Sequence, residues 1–452
     1  MARPAGALSL FFSLAALGAI FCAITLAGVA AARSLLPPGS AWRPEKWGWS
    51  FALGCALVIL ETAAAVRMGL SPGWPSFLAA AALAASAAFF LPLRVIGRDV
   101  APERRHPAVR GLLLLLLASG VALYLLRSLT EPMWSNDYLA IWGLKGKTIA
   151  LARAFPPQVW PAGLYGFSHP EYPLGLPLLY AGLASMLGRW DDHGQALLFP
   201  FIQAATLLVL FGWLRRRAIA WPIPLAAAAL LSLWEPLYSG FLTGLAEVPL
   251  SLAFLLFGTA FSDSLEGTDP GARPRLALAS LIAAATKNEG VFLAVAGGAG
   301  ALLARAPGRW RIAAAALLPA AGVAAITRFA SGGAGLRDLD FSFLGPRISQ
   351  LPGRLGETLH AATFEVAPSA WPLLLCLALL LVAGRSAALG NRLLWLSAAC
   401  LAVYLLLPPL AIRGPSWLIR TTLARTSAAL APLVVAGLAA RLSGSLGARR
   451  QA

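Results

Sequence analysis

Charge is scarce in this chain. Asp, Glu, Lys and Arg make up 12% of its 452 residues, where a soluble domain carries about a quarter. So low a share excludes an ordinary water-soluble fold and points to a polytopic membrane protein. Lysine is scarcer still. Only Lys46, Lys145, Lys147 and Lys287 occur among 36 basic residues, the rest being arginine, a bias that suggests a GC-rich genome. Cys22, Cys55, Cys376 and Cys400 all lie inside apolar runs, which excludes a disulfide framework and a cysteine metal site. His106, His169, His193 and His360 are scattered, so the chain has no zinc motif. Internal repeats are missing, and so is any polar stretch large enough to fold as a soluble domain.

Apolar runs are what the chain has in plenty. Apolar residues make up 59% of it, and the mean hydropathy is +0.73. A helix needs roughly 20 apolar residues to cross the hydrocarbon core. The runs predict an all-α integral membrane fold of about 13 transmembrane helices, near 6–31, 48–66, 75–93, 110–127, 194–214, 219–238, 247–262, 275–286, 289–304, 311–328, 369–384, 393–410 and 428–442. The first run is too long for a cleaved signal, and many like it follow. The net charge of +17 does not call for nucleic acid, because the arginines cluster at the ends of apolar runs, as cytoplasmic anchors do.

Charge also sets the expected topology. Arg94, Arg98, Arg104, Arg105 and Arg110 form the strongest basic loop and should be cytoplasmic. Loop 128–172, one span later, is then outside, and Arg215, Arg216 and Arg217 are inside. Only one crossing fits between them, so the short run 173–188 should lie along the outer interface or re-enter. The runs 275–286 and 289–304 meet at Thr286-Lys287-Asn288-Glu289-Gly290. A hairpin there keeps both basic ends inside and lifts Lys287 toward the outer face, in a cavity where polar backbone is tolerated. The outer polar elements are therefore 128–172, 239–247, 286–290, 329–368 and 411–427. Leu139, Trp142, Ile149 and Phe155 have helical spacing, which suits an amphipathic interfacial helix over 139–154 in the first outer loop.

The outer elements carry the candidate chemistry. Asp137, in Asn136-Asp137-Tyr138, is a general base, a metal ligand or a substrate ligand, or else a helix N-cap. Two lysines follow it, of which Lys145 is a candidate phosphate ligand. In Ser168-His169-Pro170-Glu171, His169 and Glu171 either meet substrate or pair with each other. Glu247, in Gly244-Leu245-Ala246-Glu247, is a second acid or simply a favourable helix N-terminal charge. Glu61 and Glu235 read as structural partners of arginine or backbone. Lys287 is a point charge for a phosphate or the partner of Glu289, itself a candidate substrate ligand. Arg413, Arg420 and Arg425 lie outside against the charge rule, so they meet an anionic ligand or anchor lipid headgroups. Together these groups suit a ligand with a phosphate, a long lipid tail and a polar head.

The order of these motifs resembles the C-type glycosyltransferase superfamily of integral membrane enzymes. The branch in question is the protein mannosyltransferase and lipid A aminoarabinose transferase type, and the resemblance covers roughly residues 128–430. It implies a polyprenyl-phosphate sugar donor, a glycan, lipid or protein acceptor, and inverting transfer on the extracytoplasmic face. By the same resemblance Asp137 matches the first-loop catalytic acid, Glu247 the second acidic position and His169 the residue before the proline step. Lys287 matches the Lys of the Thr-Lys turn, and Arg420 and Arg425 fall where late basic residues contact phosphate. The chain departs from the pattern in having four spans before the Asp137 loop, and Glu instead of Asp at 247.

The expected organisation is a four-helix membrane extension (1–127), an outer catalytic loop (128–172), a transferase core (173–442) and a cytoplasmic tail (443–452). The expected location is multi-pass in a bacterial inner or plasma membrane, with the active site facing outside. No cofactor is required, and a divalent cation is allowed. The rival readings are a flippase or transporter of a lipid-linked glycan, a non-catalytic subunit of an envelope assembly complex, and an oligosaccharide ligase.

Overall fold

The computed structural model describes residues 7–36, 44–90, 107–155, 168–267, 269–304, 306–331, 349–365, 388–410 and 414–449. The expected span 369–384, most of loop 329–368, Arg413 and the arginines of 94–105 lie outside the described residues. All regular structure among the described residues is helical. The helices are α1 (Ala7–Leu35), α2 (Pro44–Arg67), α3 (Trp74–Phe90), α4 (Pro107–Thr130), α5 (Gly143–Ala152), α6 (Gly175–Leu187), α7 (Asp192–Ala196), α8 (Leu198–Arg216) and α9 (Pro222–Ser232). There follow α10 (Glu247–Glu266), α11 (Ala272–Thr286), α12 (Glu289–Leu303), α13 (Arg309–Ala330), α14 (Leu351–His360), α15 (Ala388–Leu406) and α16 (Ala424–Arg449). A turn of helix at Pro415–Leu418 and a π-helical segment Ile419–Leu423 lead into α16.

Among the described residues, seven helical segments are long and apolar enough to cross a membrane: Leu14–Arg33, Pro44–Arg67, Pro107–Thr130, Asp192–Arg216, Glu247–Glu266, Arg309–Ala330 and Pro415–Ser443. That is what a multi-pass membrane protein needs. Shorter apolar helices fill in around them. α10 is the axis of the bundle. It is buried almost all round and packs against α8, α11, α15 and α16, which explains why its sequence is apolar on every face. α4 is the opposite case. Leu112, Leu115, Leu123 and Leu126 stand exposed on it, a surface suited to hydrocarbon and costly in water.

The bundle has two chemically distinct ends. At one, Asp263 of α10 accepts Arg216 Nη2 at 2.6 Å and Arg275 Nη2 at 2.9 Å, and it also pairs with Arg217. Arg216 Nε reaches Glu45 at 2.8 Å, and Arg275 Nη1 donates to the Leu35 carbonyl at 2.7 Å. Arg392 approaches Glu266 at 3.5 Å. These ion pairs tie α1, α2, α8, α10, α11 and α15 together. At the other end of α10 sits Glu247, about 24 Å away at 1.5 Å rise per residue, with Asp137, Lys287 and Arg425 around it.

Three expected elements differ from the observed ones. Of the two placements expected for the run 173–188, the one along the outer interface is not observed, because every residue of α6 from Gly175 to Ala184 is buried. Both of its ends nevertheless sit at the Glu247 end, because Gly175 abuts the Ala285 carbonyl and Trp74 Nε1 donates to the Met186 carbonyl. The expected helix 219–238 stops at Ser232 and gives way to turns through 233–246. Pro236 disfavours helical backbone at Glu235, and the irregular chain is tolerated because protein surrounds Leu237, Tyr238 and Leu242. In 139–154 the first turn is a π-helix, Tyr138–Trp142, which changes the register. The buried face is Tyr138, Ile141, Trp142, Lys145 and Ile149, and Leu139 is exposed.

The α11–α12 hairpin is tight. A Cβ on Gly290 would stand 2.1 Å from the Ala283 carbonyl carbon, and one on Gly175 would stand 2.2 Å from the Ala285 oxygen. Only glycine lets both chains close on the end of α11, and that closure sets the position of Lys287. Gly290→Val is therefore expected to cost about 1–3 kcal/mol by overpacking. A lowered thermal midpoint in detergent would register it, and an unchanged one would show that the hairpin opens freely.

Candidate functional site

Asp137 directly precedes the π-helix, yet it does not cap it. Its backbone is helical and its side chain makes no cap hydrogen bond. The carboxylate turns instead to Arg425, whose Nη1 donates to Oδ2 at 2.6 Å. Arg425 opens α16, and its Nε donates to Glu247 Oε1 at 2.8 Å. Glu247 is fully buried at the start of α10. The same oxygen receives Lys287 Nζ at 3.0 Å, and Lys287 Nζ also lies 2.5 Å from Glu289. The result is an alternating chain of five charges, Asp137–Arg425–Glu247–Lys287–Glu289, drawn from four separate stretches of sequence. Burial pulls the Lys287 ammonium down, but Glu247 and Glu289 lift it above its usual range, so it stays charged.

This chain of charges forms part of the wall of an open cavity of about 530 Å³. Asp137, His169, Lys287, Glu289, Arg420 and Arg425 all line it. Glu247 lies beneath the wall, and its Oε2 has no hydrogen-bond partner among the described residues. Aromatic faces complete the lining. Tyr172 stacks on His169 at 4.8 Å and on Trp142 at 5.4 Å, and Phe241 and Trp417 also line the cavity.

No protein-family model, curated protein or solved structure matches the chain. What can be said of its function therefore rests on the cavity itself.

Several expected site residues take other places. Lys145 is not a phosphate ligand in this arrangement. It is buried, outside the cavity lining, and its Nζ donates to the His169 carbonyl at 2.6 Å. Burial pushes its ammonium down to about 8, with the Glu171 carboxylate opposing the drop. His169 adopts positive φ, uncommon for a residue with a side chain, and the bond from Lys145 helps hold that peptide in place. Glu171 faces away from the large cavity toward a smaller one. It accepts His169 Nδ1 at 2.8 Å. Burial pushes its carboxyl up, but the His169 bond and Lys145 bring it below its usual value.

Lys287 and Arg425 are not held open for an anion. Carboxylates already engage both, because a buried cation without a counter-charge would be too costly. Glu235 lines the cavity and stands 3.9 Å from Arg127, in keeping with its expected arginine partner. Glu61 instead receives the Thr62 hydroxyl at 3.2 Å. Among the described residues no three His, Cys, Asp or Glu side chains gather as a metal site. Sequence reasoning passed over Tyr172, Phe241 and Glu235 as cavity residues. Tyr172 directly follows the motif Ser168-His169-Pro170-Glu171, whereas Phe241 has no sequence signal beyond its outer turn.

Proposed function

We propose that the chain is a membrane glycosyltransferase. It moves a sugar from a polyprenyl-phosphate donor to an acceptor with inversion, and Asp137 is the general base. The single observation that supports this reading best is the shared cavity of Asp137, Lys287, Arg420 and Arg425. Asp137, two further carboxylates (Glu235 and Glu289) and three cations meet there beside aromatic faces, at one end of an apolar bundle. In the proposed topology about 13 helices cross a bacterial plasma membrane, with the arginine-rich end in the cytoplasm and the cavity outside. The extracytoplasmic placement rests on the positive-inside rule.

The ion pairs suggest how binding and chemistry connect. The donor phosphate approaches Lys287, Arg420 and Arg425 and takes hydrogen bonds from Arg425. Asp137 then loses its hold on Nη1 and is released to accept a proton from the acceptor hydroxyl. That oxygen attacks the anomeric carbon, the carbon–phosphate oxygen bond breaks, and the electron pair leaves on the lipid phosphate. The cations stabilise the leaving phosphate, which is electrostatic work best done with water excluded. Glu247 holds Arg425 and Lys287 at the correct spacing.

The test is Asp137→Asn. Sugar transfer to an envelope acceptor is expected to fall about 10²–10⁴-fold, the range for loss of a positioned general base, while binding of the lipid phosphate persists. Unchanged transfer would remove Asp137 from the mechanism. The carboxylates that already engage Lys287 and Arg425 favour one second reading, a non-catalytic scaffold subunit. For a scaffold, envelope glycans measured by mass spectrometry would be the same with Asp137→Asn as with the wild-type chain.

A further inference from the structure

A second cavity, of about 190 Å³, backs onto the first. The wall between them is built from residues 169–171 and 287–289. His169, Lys287 and Glu289 line the larger cavity, and Glu171 and Asn288 line the smaller. Two hydrogen bonds knit this wall: His169 Nδ1 with Glu171 Oε1 at 2.8 Å, and Asn288 Nδ2 to the Glu171 carbonyl at 3.4 Å.

Two polar groups in the smaller cavity lack partners. Glu171 is 6% exposed, and its Oε2 meets no donor among the described residues. Buried carboxylate oxygens are normally satisfied. Arg328 stands exposed near the end of α13, and its guanidinium forms no ion pair or hydrogen bond among the described residues. Between them Val291, Phe292 and Ala324 supply apolar wall from α12 and α13.

These features define a ligand. The carboxylate oxygen needs an N–H or O–H donor, and a cation suits it best. The guanidinium needs an anion, for which phosphate is the natural partner. The apolar rim needs hydrocarbon. Phosphate alone would be repelled by Glu171, and a quaternary ammonium brings charge without an N–H. The volume is below the roughly 300–1,000 Å³ of a cavity for a drug-sized ligand, so it takes a headgroup and leaves the tails outside.

We propose that this cavity seats a membrane lipid whose headgroup joins a primary ammonium to a phosphate. The ammonium donates to Glu171 Oε2, the phosphate meets Arg328, and the tails leave past the apolar wall of Val291, Phe292 and Ala324. Because His169 is bonded to Glu171, the occupied seat also orders the imidazole facing the larger cavity. The inference does not depend on the transferase reading.

The experiment uses the full chain in nanodiscs of equal parts phosphatidylethanolamine, phosphatidylcholine and phosphatidylglycerol. After gentle extraction, native mass spectrometry reads the retained lipids. The wild-type chain is expected to retain phosphatidylethanolamine about tenfold over the other two, in line with one charge-assisted hydrogen bond. Glu171→Gln should erase the preference over phosphatidylcholine, and Arg328→Gln should lower retention of all three. Equal retention of the three lipids, or a preference for phosphatidylglycerol, would overturn the proposal. Displacement by soluble phosphoethanolamine would overturn the lipid as ligand. Arg328 is exposed, so its variant keeps the test decisive even where Glu171→Gln does not fold.

Discussion

Arg425→Met is expected to destabilise the folded chain by about 3–5 kcal/mol, the cost of removing one partner from a buried ion pair, and to bring the proposed sugar transfer to background. Arg425 holds two carboxylates at once. Glu247, with its side chain 1% exposed, cannot turn to water, and it is left with Lys287 alone. Asp137, with its side chain 35% exposed, can turn to water. Its share of the loss is small because solvent screens it. The Glu247 side of the pair therefore dominates the stability effect, and the Asp137 side the effect on the proposed transfer. Arg425→Lys separates the two. A single ammonium restores the charge but lacks the fork that reaches both carboxylates, so the fold recovers most of its stability and transfer remains low. Thermal unfolding in detergent alongside a transfer assay checks both. A methionine variant that melts like the wild type would show that the five-charge chain contributes nothing to stability.

Asp263→Asn is expected to have an effect of similar size on stability and none on the intrinsic turnover of the molecules that remain folded. Asp263 is 1% exposed and sits among Arg216, Arg217 and Arg275, while Trp213 Nε1 donates to its Oδ1 at 3.1 Å. Asparagine keeps the shape and removes the charge. Arg275 is itself 1% exposed and then has, among the described residues, only Asp269 as counter-ion. The cost is again about 3–5 kcal/mol, seen as a lower thermal midpoint and a lower yield of folded protein. The double variant Asp263→Leu with Arg275→Met should recover part of it, because an apolar pair removes the uncompensated charge. Transfer per folded molecule should match the wild type, since the cavity lies about 24 Å up α10. A fall in turnover with normal stability would show that the two ends of the bundle are coupled.

Much of the fold was legible from runs and charges. Apolar length located the long helices, and the arginines at run ends foreshadowed the cluster around Asp263. The hairpin at Thr286–Gly290 followed from keeping Arg273 and Arg275 on the same side as Arg305 and Arg309. Legibility failed where the chain departs from regular spacing. The π-turn at Tyr138–Trp142 put Lys145 on the buried face and Leu139 on the exposed one. Nothing in the composition of 173–188 distinguishes a helix lying on a surface from one sunk among α2, α5 and α11. Both are apolar, and only the neighbours differ.

The sequence by itself determined that this protein is helical, apolar and polarised, with arginine at one end and its acid and lysine motifs at the other. Hydropathy and charge act locally and are read residue by residue. Only the tertiary structure decided which charges neutralise each other. Arg425 meets an aspartate 288 positions earlier, and Glu171 turns its back on the cavity that His169 faces. Such pairings depend on how helices remote in sequence pack, because a buried charge takes whichever partner packing brings within reach.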